Sequence, residues 1–108
     1  MNNTNSVSVL ITAASTAKAY QIKGTIQADE IILGDYEELP EVMIKTGKMI
    51  KLPNPKSAAY IHEMLALCLD KNVTDLYPLC NIEMQLLKEA QLLYDEYGIN
   101  INYTTDGL

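Results

Sequence analysis

The chain has 108 residues, 48% of them hydrophobic, which suits one small domain with its own core. Its net charge is −6, and all eight basic residues are lysines, with no arginine, phenylalanine or tryptophan anywhere. This composition excludes a basic, aromatic-lined nucleic-acid surface and withholds the bidentate guanidinium fork preferred for phosphate and carboxylate.

The start, MNNTNS, is polar and uncharged. The apolar run behind it is about five residues long, too short for a signal core or a membrane span. That run, Val7–Ile11, is the first predicted strand, apolar on both faces as a central parallel strand should be. Ser15 or Thr16 can cap a short helix that ends near Gly24. Glu30–Leu33 is the second strand, closed by Gly34 and Asp35, and Glu37–Ile44 is a short helix with acidic residues at its start. Lys48–Leu52 alternates more and stops at Pro53 and Pro55, as an edge strand does. Ser57 is placed to cap a helix to about Lys71 whose inner face carries Ile61, Met64, Leu65 and Cys68. Val73–Tyr77 is the fourth strand, ended by Pro78. Asn81 is placed to cap a longer helix to Tyr97, with Ile82, Leu86, Leu87, Ala90, Leu93 and Tyr97 facing inward, Glu83 in its first turn and Gly98 at its end. Ile99–Tyr103 is the fifth strand, alternating, at the other edge.

Strict alternation of strand and helix predicts a single three-layer α/β/α Rossmann-like domain around a five-stranded parallel sheet. The order 3-2-1-4-5 fits the polar third strand better than the flavodoxin-like 2-1-3-4-5. Residues 7–104 form the domain, 1–6 a flexible N-terminal tail and 105–108 a C-terminal tail.

In such sheets ligands sit beyond the carboxyl ends of the strands. The first loop, Thr12 to Ala17, has no glycine, so it lacks the fingerprint that lets backbone N–H groups approach a pyrophosphate. Ser15 and Thr16 can hold a small anion there or serve as a capping turn. Asp35 stands about twenty residues on, where a dinucleotide fold places its ribose acid, and equally where a turn aspartate belongs. His62 has no partner at a useful spacing and reads as a surface residue. Cys80 follows the fourth strand, but no base is legible for it. Glu37, Glu38 and Glu41 read as a solvated patch. Cys68 and Cys80 match no metal spacing, so the expectation is reduced thiols, no metal, no cofactor, no catalytic residue and a cytoplasmic protein.

VLITAA, IILGDYEELP, KMIKLPNPKSAAYIHEML and VTDLYPLCNIEMQLL, taken in order, resemble the pre-ATP-grasp domain. This is the small N-terminal domain of carbamoyl-phosphate synthase large subunits and related carboxylate–amine ligases. The resemblance spans residues 7 to about 104, with Asp75 in a similar place and Glu83 at the family's spacing from Pro78. It implies a Rossmann-like fold and a ligase ancestry, in a small stand-alone bacterial protein. The first loop departs from the family in lacking glycine and arginine, and the chain stops at Leu108, where an ATP-grasp domain would begin. The implied function is a non-catalytic module that binds a partner protein, an ATP-grasp protein or a second copy, or a small metabolite. Its contact residues would be Thr12, Ser15, Thr16, Asp35, Tyr36, Asn81 and Glu83. The alternatives are the detached subunit of a split ATP-grasp ligase and a nucleotide-dependent enzyme with a degenerate loop.

Overall fold

The computed structural model describes residues 6–103, so the two tails assigned above lie almost wholly outside the described residues. The elements run β1 (Ser8–Ile11), α1 (Ala17–Thr25), β2 (Glu30–Asp35), α2 (Glu41–Lys45), β3 (Met49–Lys51), α3 (Tyr60–Asp70), β4 (Asp75–Tyr77), α4 (Asn81–Glu89), α5 (Gln91–Glu96) and β5 (Asn100–Ile101). All strands are parallel and the sheet order is β3-β2-β1-β4-β5, as the alternation predicts. All four residues of β1 are buried, which its apolar composition requires of a central strand.

Register sorts the core into two layers, because paired residues on parallel strands point to the same face. Ile32, Leu10, Leu76 and Ile101 form one row, packed with Tyr60, Met64, Cys68, Leu87 and Tyr94 from α3, α4 and α5. Met49, Leu33, Ile11 and Tyr77 form a row on the other face, packed with Ala19 and Ile22 of α1 and Met43 of α2. On that second face the Val9 row runs on into Asp75 and Asn100, so the β4–β5 part of the sheet is polar there.

Local chemistry moves several boundaries. Gly24 lies inside α1; the helix stops because Ile26 turns to extended backbone and packs on the α1 side of the sheet. The second helix begins at Glu41 rather than Glu37, since Leu39 precedes Pro40, is biased to extended backbone and is itself buried. Ser57 does not cap α3: its Oγ accepts the Ala59 N–H at 3.1 Å and makes a turn just before the helix. Asn81 does not cap α4 either but is its first residue, with Cys80 at the N-cap.

The long final helix is two, broken at Ala90 (φ −107°, ψ 13°). Its buried stripe is Glu83, Leu87 and Tyr94, while Ile82 and Tyr97 are exposed. The Tyr94 hydroxyl donates to the Ile61 carbonyl at 2.8 Å, which lets a polar-tipped ring occupy the core. Gly98 ends α5 as expected, at φ +78°, with the Ile99 N–H reaching back to the Tyr94 carbonyl at 3.0 Å. Gly34 has a different task. A Cβ there would stand 2.7 Å from the Leu52 side chain, so its absence lets the chain leaving β3 close over β2.

Candidate functional site

The strand ends converge on one edge, and the β1–α1 turn is its centre. Ala13 takes φ +54°, the left-handed turn that glycine usually makes, at a strain of about 1 kcal/mol. The turn is held by the Ala14 N–H on the Gly34 carbonyl at 2.9 Å, and by the Thr16 N–H and hydroxyl on the Ala13 carbonyl at 3.0 and 2.7 Å. Thr16 also accepts the Ala19 N–H at 3.4 Å, so its side chain caps α1.

Asp35, at the end of β2, is 4% exposed. Its Oδ2 accepts both the Ser15 N–H at 3.2 Å and the Ser15 hydroxyl at 2.8 Å, and its Oδ1 accepts the Glu37 N–H at 3.1 Å. The protein's own carboxylate therefore fills the donors that a bound anion would seek at this turn. Thr12 is fully buried at the end of β1, and its Oγ1 accepts the Leu79 N–H at 2.8 Å. That bond ties the β1–α1 turn to the loop after β4.

Glu83, in the first turn of α4, is only 1% exposed. Oε2 accepts the Tyr60 hydroxyl at 2.9 Å, while Oε1 has no hydrogen-bond partner among the described residues. Burial pushes the pKa of this carboxyl up; the Thr12 and Tyr60 hydroxyls pull against that, and the charge of Asp35 adds to the rise. Burial also raises the Tyr60 hydroxyl, with the charge of Glu83 second, so Tyr60 stays a protonated donor. The half-buried Tyr36 is raised as well, by burial first and then by Cys80, Glu37 and Glu83, which places its hydroxyl within electrostatic reach of all three.

A depression of about 240 Å³ opens between these segments, lined by Ala13, Ser15, Thr16, Asp35, Tyr36, Glu37, Leu79 and Cys80. None of the residues lining it is basic. A larger hollow of about 660 Å³ lies at α2, but its lining (Glu38, Leu39, Pro40, Glu41, Ile44 and Lys51) includes no buried polar group left unpaired. Chemically, the edge holds a buried carboxyl whose ionised form burial disfavours and the Thr12 and Tyr60 hydroxyls favour.

Of the residues the sequence nominates, Ser15, Thr16, Asp35 and Tyr36 line the depression, while Thr12 and Glu83 are buried and do not line it. Asn81 is exposed at the start of α4 and does not line the depression. Tyr60 is the residue sequence reasoning missed. Its signal was the stripe Tyr60, Met64, Cys68 at steps of four, which turns the ring inward with the other two. His62 is exposed, Glu41 is paired with Lys45 at 3.9 Å on the surface, and Cys68 is buried with its thiol pushed up to about 12. Cys80 is half-buried at the depression. Among the described residues no cluster fits a metal ion, and no helix is long and apolar enough to cross a membrane. The sequence matches no protein-family model and no curated protein.

Proposed function

We propose that this protein is a non-catalytic Rossmann-like module that binds a small metabolite at the carboxyl edge of its sheet, between the β1–α1 turn and the start of α4. The observation that carries this reading is Glu83: a carboxyl 1% exposed, with one oxygen unpartnered, in the first turn of α4, whose N-cap Cys80 lines the depression. A buried acceptor left unpaired costs about 1–3 kcal/mol, so its retention makes sense where something else completes it. The order of elements and the spacing from Pro78 to Glu83 support kinship with the N-terminal domain of carbamoyl-phosphate synthase-like ligases, and we propose a bacterial cytoplasm as the protein's setting. The engaged donors of Ser15 weigh against the nucleotide-dependent alternative.

The test is mass spectrometry of small molecules released on denaturing protein purified from its native cell, with calorimetry against ATP and magnesium. A stoichiometric metabolite and no ATP heat are expected; micromolar ATP binding would overturn the reading. A second reading, docking to a partner such as an ATP-grasp protein, is favoured by one feature. Ala14, Tyr20, Leu39, Pro40, Val42, Met43 and Met49 line an apolar hollow of about 450 Å³, with Val42 largely exposed. Coelution with such a protein at native expression is its check.

A further inference from the structure

We propose that α2 and the two hollows it borders are the contact surface for a second copy of this chain, with the two α2 helices antiparallel across a two-fold axis. The proposal rests on the second reading above, that the apolar hollow is a docking surface, and it names the partner. Shape, the order of charges and the local net charge each lead to it.

Val42 and Met43 line the apolar hollow together with Tyr20 of α1, while Glu41 and Ile44 line the larger hollow together with Lys51 of β3. Leu39 and Pro40 line both, so the two hollows are continuous around the start of α2. Val42 is 62% exposed and Ile44 43%, so the helix is an apolar ridge beside a groove. A two-fold axis brings one surface against itself, and the ridge of each copy then lies in the groove of the other. Val42 of one copy enters the partner's apolar hollow, whose Tyr20 is itself 46% exposed.

The charges are ordered along the same strip. Glu37, Glu38 and Glu41 precede Lys45, Lys48 and Lys51 in the chain, and all six are exposed. Lys48 and Lys23 line a further hollow with Tyr20 and Met43, and no acid lines it. Tyr20 and Met43 line the apolar hollow too, so one strip runs from acids at the start of α2 to lysines beyond its end. Lys51 lies at the acidic end, where Glu38 and Glu41 outnumber it. Antiparallel strips set the acids of each copy against the lysines of the other, whereas parallel strips set like against like. A partner of one sign would match one end and meet its own sign at the other. The Glu41–Lys45 pair within α2 is 3.9 Å long, with side chains 84% and 74% exposed, so a partner displaces little to engage either group.

The chain carries −6 and repels its own copy overall. Residues 37–51 hold three acids and three lysines, a local net charge of zero, so two copies meet there without that repulsion.

The test is sedimentation of the full chain from about 1 µM to about 1 mM, the range of transient self-association. A concentration-dependent dimer is expected. Val42→Asp weakens it about tenfold or more, because a carboxylate then enters an apolar hollow. Leu92→Asp, at an equally exposed residue of α5, leaves it unchanged. Two charge variants decide the geometry. Glu38→Lys with Glu41→Lys, and Lys45→Glu with Lys48→Glu, are each monomeric alone, and mixed in equal amounts they form a dimer. That recovery also shows that both variants fold. A dimer untouched by Val42→Asp, or a mixture that stays monomeric, overturns the proposal. So does a parent chain that is monomeric throughout. In that case coelution with an ATP-grasp protein, lost in Val42→Asp, leaves the docking reading standing with another partner; its absence removes that reading as well.

Discussion

Asp35 and Glu83 are 4% and 1% exposed, and both stand where the end of a strand meets the start of a helix. Asp35 accepts three hydrogen bonds, two from Ser15 and one from the Glu37 N–H. Glu83 accepts one, from Tyr60, and keeps an oxygen with no partner. Asp35 is a structural clamp: its charge substitutes for the anion that a glycine-rich turn would bring in from outside. Glu83 has the burial of a clamp with fewer donors: the Tyr60 hydroxyl on Oε2 and the Thr12 hydroxyl near enough to pull its pKa down. The difference teaches that burial alone does not separate a structural acid from a functional one; the count of donors does.

Replacing Asp35 with alanine should have the largest effect. It removes the buried acceptor of three part-buried hydrogen bonds and costs about 3 kcal/mol, read from urea midpoints. A loss below about 1 kcal/mol would remove its standing as a clamp.

Tyr60→Phe comes next, at about 2 kcal/mol near neutral pH, because Oε2 of Glu83 then loses its hydroxyl contact. An unchanged midpoint would show that Glu83 has no need of a donor, and the contrast with Asp35 would fail.

Ser15→Ala tests the redundancy of the clamp. Two N–H donors to Asp35 survive, so the expected cost is only about 1 kcal/mol, by the same measurement. A cost as large as that of Asp35→Ala would mean that the hydroxyl alone holds the turn.

Glu83→Gln should have the smallest effect on stability at neutral pH, within about 1 kcal/mol of the parent and of either sign. Its signature is pH dependence. Burial raises the Glu83 pKa in the folded chain above its unfolded value, so the folded state binds that proton more tightly. The group's stabilising contribution is complete below the ordinary carboxyl range and is lost as pH rises from there through the raised value. Asp35 is present in both proteins and cancels in the difference. Urea midpoints measured from about pH 4 to about pH 8 should therefore decline more steeply in the parent than in the variant. Equal slopes would place the Glu83 carboxyl in an ordinary environment.

Much of the fold was legible because its signals are local. The apolar run Val7–Ile11, the prolines after the third and fourth strands and the residues around Gly98 each act within a few positions of themselves. Boundaries failed where a neighbour outweighed a local preference: Leu39 before Pro40 delayed the second helix, and Ser57 bonded two residues on instead of capping. On the final helix Leu86, Leu87, Ala90 and Leu93 pack on the core as read, while Ile82 and Tyr97 are exposed. Glu83 and Tyr94 carry polar groups, which pattern reading turns outward, and the protein buries both. Each needed a partner from α3, the Tyr60 hydroxyl for Glu83 and the Ile61 carbonyl for Tyr94.

The glycine-free turn shows the same division. Its composition lacks the glycine fingerprint, yet Ala13 makes the left-handed turn and Asp35 takes up the Ser15 donors there. Strand alternation likewise determined the parallel sheet and its order, because right-handed crossovers leave few other arrangements. What composition and pattern left open was which acid would occupy the turn and which would be left with a free oxygen. The contacts responsible join residues 20 positions apart for Ser15 and Asp35, 23 for Tyr60 and Glu83, and 67 for Thr12 and Leu79. Those pairs meet only once the sheet has assembled, so the allocation of donors among buried oxygens belongs to the folded chain.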